Sequence, residues 1–508
     1  MDRLDLGEIP KTSKLESLSK EQLIQKYSVL ESELIRVIRE NYELRNQRIH
    51  DDQIQFVMEE QLASLRDKIF GRSSERYKKP VKKNDDHPPK APPKPRIKKP
   101  SERYPNIPIR EQIIAVDPAP ICPCCKSAMM DSGMTEDSEQ LTVIPKKYEI
   151  LRQKRVKYRC QCQGSILTAP TPARIIPGST YSDEMIQDVA LSKYCDLIPI
   201  ERYTAMAARS GLIDLPPHSL IETTHQFADF LSPVYALIKK GVLASRILQA
   251  DETPHRMLEG SDKKSWYLWG FSTEEFCFLE CRNTRSGDIA SDLLVNSKCE
   301  VLVSDVYSGY GKATRLSNEI RKSRGLPSIQ SAHCNAHARR YFKKALSQYP
   351  EAAFYLDHYH EIYQLNKASR GQVLPKILEL RQQMRPRFDA MKKKALDELP
   401  HYPRNGKYGK GLRYFLDHFK TLTFFLDDAE VPIDNNAQER NLRSHVVGRK
   451  TWYGTHSQRG ALTAAILFSL VETCKLNDLN PREYFAGLVQ DLLAGAKPYT
   501  PKDFKNSH

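Results

Sequence analysis

Two aspartates occupy positions where the chain could hold metal ions for phosphodiester chemistry. Asp251 ends the short apolar run ILQAD, and Asp305 ends the run VLVSD, which predicts a buried strand. If these strands are neighbours with the same direction, both carboxylates lie at one edge of the sheet. The alternative is that each aspartate only caps the end of its strand.

A third carboxylate, Glu439, lies in the segment DNNAQERNLR, which predicts a helix that begins near Asn435 or Asn436. If Asn436 is the N-cap, Glu439 is the third helical residue, and a capping box explains it without any function. Four basic residues share its segment: Arg440, Arg443, Arg449 and Lys450. Arg443 is four residues from Glu439, on the same helical face. A carboxylate flanked by cations suits a metal site that also holds phosphates.

Three carboxylates indicate a particular chemistry. Mg²⁺ takes oxygen ligands and keeps water in its remaining positions. Two such ions ~4 Å apart activate an attacking oxygen and neutralise the leaving oxygen of a phosphodiester. This chemistry requires no protein nucleophile.

The elements around the two aspartates follow a recognisable order. Strands are predicted at 247–251, 266–271, 276–281, 301–305 and 329–334, with a helix over 287–296. Three strands, a helix, a strand, a helix and a strand is the order of the ribonuclease-H-like fold, in which the first and fourth strands are neighbours. Residues 345–425 read as mostly helical and predict an insertion before the helix of Glu439.

A second group of candidate metal ligands consists of cysteines. Cys122-x-x-Cys125 has the spacing of a zinc knuckle, and Cys160-x-Cys162 supplies a second pair, one residue tighter than usual. Cys124 could replace either neighbour, and buried free thiols are the alternative to one structural Zn²⁺. The alternation between the pairs predicts a β-hairpin whose basic residues face DNA, among them Lys154, Arg155 and Lys157.

His333, Cys334 and His337 form a further potential metal trio. We favour a different interpretation, in which Cys334-x-x-His337 spans a strand-to-helix junction and Arg339 and Arg340 face phosphate.

The N-terminal part predicts assembly. Residues 15–69 contain no glycine or proline, and a heptad places Leu23, Leu30, Val37 and Leu44 at position d. This pattern predicts a leucine zipper and therefore a homodimer or higher oligomer. A helical hairpin that folds around residues 46–53 is the alternative.

Positive charge is concentrated in the segment that follows the predicted zipper. The 508 residues carry a net charge of +15, and residues 72–110 hold thirteen Lys or Arg against four Asp or Glu. Seven prolines in 72–100 exclude a packed core there. The segment is a solvated spacer, a site of phosphate contact, or both.

Residues 182–230 predict three short helices, with breaks at Ile198-Pro199 and between Gly211 and Pro217. A helix-turn-helix DNA reader and a plain helical connector fit this pattern equally well.

No apolar run reaches the ~20 residues of a membrane span. The first residues show no apolar signal segment, so we expect a cytoplasmic protein that does not enter a membrane.

Several motifs together resemble one family. ADETP at 250–254, SDVYSGY at 304–310, HCNAHARR at 333–340 and DNNAQERNLR at 434–443 resemble the insertion-sequence 66 transposases of the TnpC type. Four shorter motifs agree: IFGRSSER at 69–76, IIPGS at 175–179, LSKYCDLIPIERY at 191–203 and NDLNPREYF at 477–485. The resemblance spans nearly the whole chain, although Asn335 replaces a frequent aromatic residue and the Cys160-x-Cys162 pair is tight.

The resemblance implies a bacterial DDE transposase with the triad Asp251, Asp305 and Glu439 and two Mg²⁺ ions. Its partners would be the transposon ends, target DNA and accessory proteins of the same element. A ribonuclease-H-like structure-specific nuclease and a domesticated DNA-binding regulator are the alternatives.

The fold class expected is multidomain α+β. The expected units are a coiled coil at 1–71, a basic linker at 72–110, a zinc module at 111–175, a helical DNA-binding segment at 176–240, a catalytic core at 241–475 and a C-terminal helical segment at 476–508.

Overall fold

The computed structural model describes residues 99–114, 121–124, 126–129, 138–159, 165–258 and 265–507, and seven isolated positions between 19 and 37. The predicted zipper lies almost entirely outside the described residues, and so does the basic linker up to residue 98. The N-terminal helices and strands are α1 (Pro100–Arg103), β1 (Lys157–Arg159), β2 (Ile166–Thr168), α2 (Asp183–Tyr194), α3 (Ile200–Arg209) and α4 (Pro217–Leu243).

A mixed five-stranded sheet follows. Its elements are β3 (Ile247–Arg256), β4 (Ser265–Ser272), β5 (Cys277–Arg282), α5 (Asp288–Val295), β6 (Val301–Ser304), α6 (Ser308–Ser323) and β7 (Gln330–His333). The spatial order is β5-β4-β3-β6-β7, antiparallel from β5 to β3 and parallel from β3 to β7. The predicted strands and helix are confirmed in type and order, and β3 and β6 are neighbours.

The remaining helices complete both sides of the sheet. They are α7 (Asn335–Ala345), α8 (Ala352–Ala368), α9 (Leu374–Glu398), α10 (Lys407–Asp417), α11 (Phe419–Leu422), α12 (Asn436–Trp452), α13 (Gln458–Leu476), α14 (Pro481–Leu493) and α15 (Pro501–Ser507), with 3₁₀ turns at Leu399–His401 and Phe424–Leu426. Helices therefore occupy the 345–425 region, where the sequence predicts them. Among the described residues, no helix is both long enough and apolar enough to cross a membrane.

Alternating side chains of β6 divide the interior into two cores. Leu302 packs into the core that α2, α4, α13 and α14 share with the sheet, whereas Val301 and Val303 pack into the core built by α7 to α10. A strand covered by helices on both faces must be apolar at every position. This requirement explains the uninterrupted run VLV.

The third helix of the 182–230 region is longer than predicted. It runs for 27 residues to Leu243 and contains Pro233 in its interior. A proline inside a helix costs ~3 kcal/mol. Burial of Leu231, Val234 and Ile238, all 0% exposed, offsets that cost.

The predicted hairpin within 140–159 is wrong. Residues 138–156 are described and belong to no strand, and β1 pairs with the later strand β2. Pro145 lacks an amide donor for a ladder. Lys146 instead forms an ion pair with Asp188 of α2, and its ammonium lies 4.8 Å from the centre of the Tyr203 ring. The segment is therefore attached to the helices rather than folded on itself.

Candidate active site at the β3–β6 edge

Asp251 lies within β3 at the centre of the sheet. Its register partner on β4 is Gly270, and its Oδ1 accepts a hydrogen bond from the Glu252 amide over 3.0 Å. Burial, and then the negative charges of Glu252, Asp305 and Glu439, raise the pKa of the Asp251 carboxyl to about 8. All three predicted carboxylates therefore interact electrostatically in the folded chain.

Asp305 is the first residue after β6. The parallel pairing of β3 with β6, with Gln249 opposite Val303, brings its backbone beside the Asp251 strand. Its Oδ1 accepts a hydrogen bond from the Tyr307 amide over 3.0 Å, in the turn that leads into α6. Asp305 therefore caps the end of its strand, as the alternative interpretation proposed, but its charge also acts on Asp251. We call Asp251, Asp305 and Glu439 the carboxylate cluster.

Glu439 lies in the first turn of α12, and the structure excludes the capping-box explanation. The N-cap is Asn435, so Glu439 is the fourth helical residue and Gln438 the third. The Asn435 side chain makes no capping bond; its Nδ2 donates to the Ala250 carbonyl over 2.8 Å. This buried bond fastens the start of α12 to β3 directly beside Asp251.

A histidine and an arginine lie next to Glu439 on its outer side. Its Oε1 lies 3.6 Å from His337 Nε2, and its Oε2 lies 3.7 Å from Arg340 Nη2. A cavity of about 440 Å³ adjoins it between α7, α8 and α12. The cavity is lined by Ala336, Arg339, Arg340, Lys343, His360, Tyr363, Asn436, Glu439, Arg440 and Arg443. We call this basic cavity the arginine pocket.

The other residues predicted to contact DNA lie outside the arginine pocket. Lys154, Arg155 and Lys157 are exposed in and before β1, where Arg155 donates to Thr171 Oγ1 over 2.9 Å. On α12, Lys450 is exposed, whereas Arg449 hydrogen-bonds the Pro254 carbonyl of β3. Arg449 thus also ties α12 to the sheet.

Four residues at the site escaped the sequence analysis. The Glu252 side chain is 2% exposed, accepts from Tyr310 Oη over 2.5 Å and pairs with Arg285 Nη2 at 2.7 Å. Burial raises its pKa, while those two donors lower it. Gln438 is fully buried over Gly270, and neither of its amide atoms has a hydrogen-bond partner. The only sequence signal was that Glu252, Tyr310 and Gln438 lie inside the motifs of the triad, whereas Arg285 lies outside them.

Asp434 orders the turn before α12. Its carboxylate accepts hydrogen bonds from Tyr363 Oη over 2.9 Å and from the Asn436 amide over 3.1 Å.

Of the predicted zinc ligands, the structure describes only Cys122. Its amide donates to the Ser127 carbonyl over 2.9 Å, and its carbonyl accepts from the Lys126 amide over 3.0 Å. The chain therefore turns tightly after Cys122. Cys125, Cys160 and Cys162 lie outside the described residues.

Cys334 spans the junction between β7 and α7, as predicted, and is the N-cap of α7. His333 points away from it, since its Nδ1 is 2.8 Å from Thr421 Oγ1.

A cluster of hard oxygen ligands beside a cationic cavity can bind divalent cations and anionic phosphates together. Without a cation, burial and the neighbouring negative charges favour the protonated form of Asp251 at neutral pH. A bound cation offsets those negative charges.

Two uncharacterized proteins of Sinorhizobium fredii, y4hP and y4jD, are 25% and 27% identical to this chain over 405 residues. These alignments cover 75% and 76% of this chain and 72% and 77% of the relatives. A third, y4qI, is 26% identical over 373 residues, which cover 70% of this chain and 68% of y4qI.

The family model described as "Transposase IS66 family" matches residues 178–463, which is more than half of the chain and contains every residue of the carboxylate cluster and the arginine pocket. The chain belongs to the IS66 family of transposases.

Proposed function

We propose that this chain is a DDE transposase of a bacterial insertion sequence, with Asp251, Asp305 and Glu439 as its catalytic triad. It would cleave the phosphodiester at each element end and join the freed 3′-hydroxyl to target DNA. The observation that carries the proposal is the convergence of three carboxylates from separate elements inside the region that matches the family.

The architecture supports a ribonuclease-H-like core. The strand order β5-β4-β3-β6-β7 puts the first and fourth strands of this region side by side, with one antiparallel edge. Helices α8 to α11 are the insertion between Asp305 and Glu439.

The donor set fits two magnesium ions. Asp251, Asp305 and Glu439 offer carboxylate oxygens only, and burial together with the neighbouring negative charges raises the pKa of Asp251 to about 8. A site with this much mutual repulsion gains stability from a cation. Asp251, Asp305 and Glu439 would hold these ions. Magnesium, when bound, would activate the attacking oxygen and neutralise the leaving oxygen.

The chain's own residues would position the DNA. Arg339, Arg340, Arg440 and Arg443 in the arginine pocket would hold backbone phosphates next to Glu439. The hydrogen bond from the Asn435 side chain to the Ala250 carbonyl would hold the start of α12 against β3, so that Glu439 stays near Asp251. Glu252 would hold Arg285 and Tyr310 at the opposite side.

The N-terminal predictions complete the proposal. A zipper dimer would pair two element ends, one structural Zn²⁺ on Cys122, Cys125, Cys160 and Cys162 would order a DNA-binding module, and Lys154, Arg155 and Lys157 would contact DNA. Accessory proteins of the same element remain expected partners.

The test is cleavage and strand transfer on DNA that carries the element's own ends, with and without Mg²⁺. Asp251→Asn, Asp305→Asn and Glu439→Gln keep shape and remove ligand charge. Each should abolish both reactions together while DNA binding survives, because one metal pair serves both steps.

The matched control is Asp292→Asn, an exposed aspartate on α5 outside the cluster, which should retain activity. An active Glu439→Gln enzyme would contradict the three-carboxylate mechanism. Cleavage without strand transfer in the unmutated chain would favour the nuclease alternative instead.

A further inference from the structure

Cys334, His337 and Glu439 form a second cluster of metal-binding side chains. Each offers one ligand atom, and these atoms all lie within 4.8 Å of one another. Cys334 is the N-cap of α7, His337 lies in the first turn of that helix, and Glu439 lies in the first turn of α12. Two helix starts therefore fix all three positions.

The chemistry of this cluster differs from that of the aspartates. A thiolate, an imidazole and a carboxylate form a ligand set suited to Zn²⁺ and similar transition metals. Magnesium takes oxygen ligands and has no preference for sulfur. The two clusters would thus select different cations, although Glu439 belongs to both.

One backbone donor is placed to stabilise a metal-bound thiolate. Burial raises the pKa of the Cys334 thiol to about 12, so the thiolate requires a bound cation, and the Asn435 amide, which donates to Cys334 Sγ over 3.2 Å, would stabilise it there. Cys334 is fully buried, whereas the side chains of His337 and Glu439 are 25% and 30% exposed. The cluster therefore has a buried sulfur and an open side through which a cation could enter.

Arg340 provides an outer partner for the shared carboxylate. It faces Oε2 of Glu439 at 3.7 Å, while Oε1 faces His337 at 3.6 Å. A cation between Cys334 and His337 would take Oε1 and leave the contact with Arg340 in place. Outer partners of this kind orient a ligating carboxylate.

We propose that Cys334, His337 and Glu439 bind one Zn²⁺-class cation, and that this cation withdraws Glu439 from the magnesium site. The binding site stands on the geometry alone. The inhibitory consequence rests on the proposed function, because it requires Glu439 to serve magnesium-dependent cleavage.

The binding test titrates Co²⁺ into the full-length, metal-stripped protein. Cys334→Ser and His337→Gln are the test variants, and Ser can still accept the Asn435 amide. Cys299→Ser is the control, since Cys299 is also buried but donates to the Val301 carbonyl. Unfolding curves of the metal-free proteins establish that each variant is folded.

The unmutated chain and Cys299→Ser should each bind one more Co²⁺ than Cys334→Ser or His337→Gln. The difference spectrum between the unmutated chain and Cys334→Ser should contain a sulfur-to-cobalt charge-transfer band. Taking this difference removes the bands of cobalt bound to the other cysteines, which both proteins contain. Equal stoichiometry and identical spectra in the unmutated chain and Cys334→Ser would overturn the site.

Zinc inhibition tests the consequence. Zn²⁺ added to a magnesium-driven cleavage reaction should inhibit the unmutated chain and Cys299→Ser. It should inhibit Cys334→Ser much less, relative to that variant's own rate without zinc. Equal inhibition of all three overturns the inhibitory role. A Cys334-dependent cobalt band in a chain that never cleaves DNA would leave the site standing and refute the proposed function.

Discussion

Gly270 of β4 lies against Gln438 of α12, and Gly270→Ala should disturb the site without touching a carboxylate. A Cβ at this position would lie 1.9 Å from Gln438 Nε2 and 3.1 Å from Leu279 Cδ2. Ordinary contacts between carbon-sized atoms are ~3.5 Å or longer, so the carboxamide must move by roughly 1.5 Å. Gln438 is 0% exposed, so the displaced carboxamide stays among buried neighbours.

The expected cost follows from that displacement. Overpacking of this kind lowers the free energy of unfolding by about 1–3 kcal/mol. Glu439 is the next residue along α12, so a shift of the helix start moves the carboxylate as well. A misplacement of about 1 Å at a reacting centre can reduce the rate roughly 10²-fold.

Urea unfolding and magnesium-dependent cleavage measure the two effects separately. Gly270→Ala should lose both stability and rate, and the double variant Gly270→Ala/Gln438→Ala should recover most of each, because the shorter side chain makes room. Gly311→Ala on α6 is the control, since its Cβ would meet nothing within 4 Å. A Gly270→Ala protein with unchanged stability and rate would refute the packing argument, and failure of the double variant to recover would refute the coupling through Gln438.

Three further predictions concern charge and metal. Because burial and neighbouring carboxylates raise the pKa of Asp251 from 3.8 to about 8 in the folded chain, the metal-free protein should lose thermal stability as pH rises through that interval. Mg²⁺ should reduce this loss of stability. Asp251→Asn should show little pH dependence and little stabilisation by Mg²⁺. A melting temperature of the metal-free protein that rises between pH 3.8 and about 8 would contradict the raised pKa of Asp251. Elemental analysis should find about one Zn in the cysteine module, and Cys122→Ser or Cys160→Ser should lose it; full retention in both would remove these cysteines from the ligand set. Neutralising four lysines of the basic linker should flatten the dependence of log K on log salt by up to ~0.9 per lost phosphate contact while sequence preference stays the same. These lysines are Lys78, Lys79, Lys82 and Lys83. An unchanged salt slope with lost sequence preference would show that the linker reads sequence.

Local patterns in the sequence were sufficient to predict the sheet. Buried strands require apolar runs, and a fixed order of strands and helices limits which strands can be neighbours. The runs that end at Asp251 and Asp305 therefore predicted two adjacent carboxylates, and the structure brings their charges together. The same local reasoning failed for residues 138–156. There, the alternation predicted a hairpin, whereas the partners of Lys146 are distant residues on α2 and α3.

Only the tertiary structure could decide what surrounds the carboxylates. The bond from Asn435 to the Ala250 carbonyl, the contact of Gln438 with Gly270, and the approach of Cys334 to Glu439 each join residues far apart in the chain. Periodicity reports which face of an element is apolar, but it contains no information on which distant element covers that face. The sequence by itself therefore determined the residue types, the strand order and the family resemblance, whereas packing of α12 and α7 against the sheet decided how Glu439 is held and which cations it can meet.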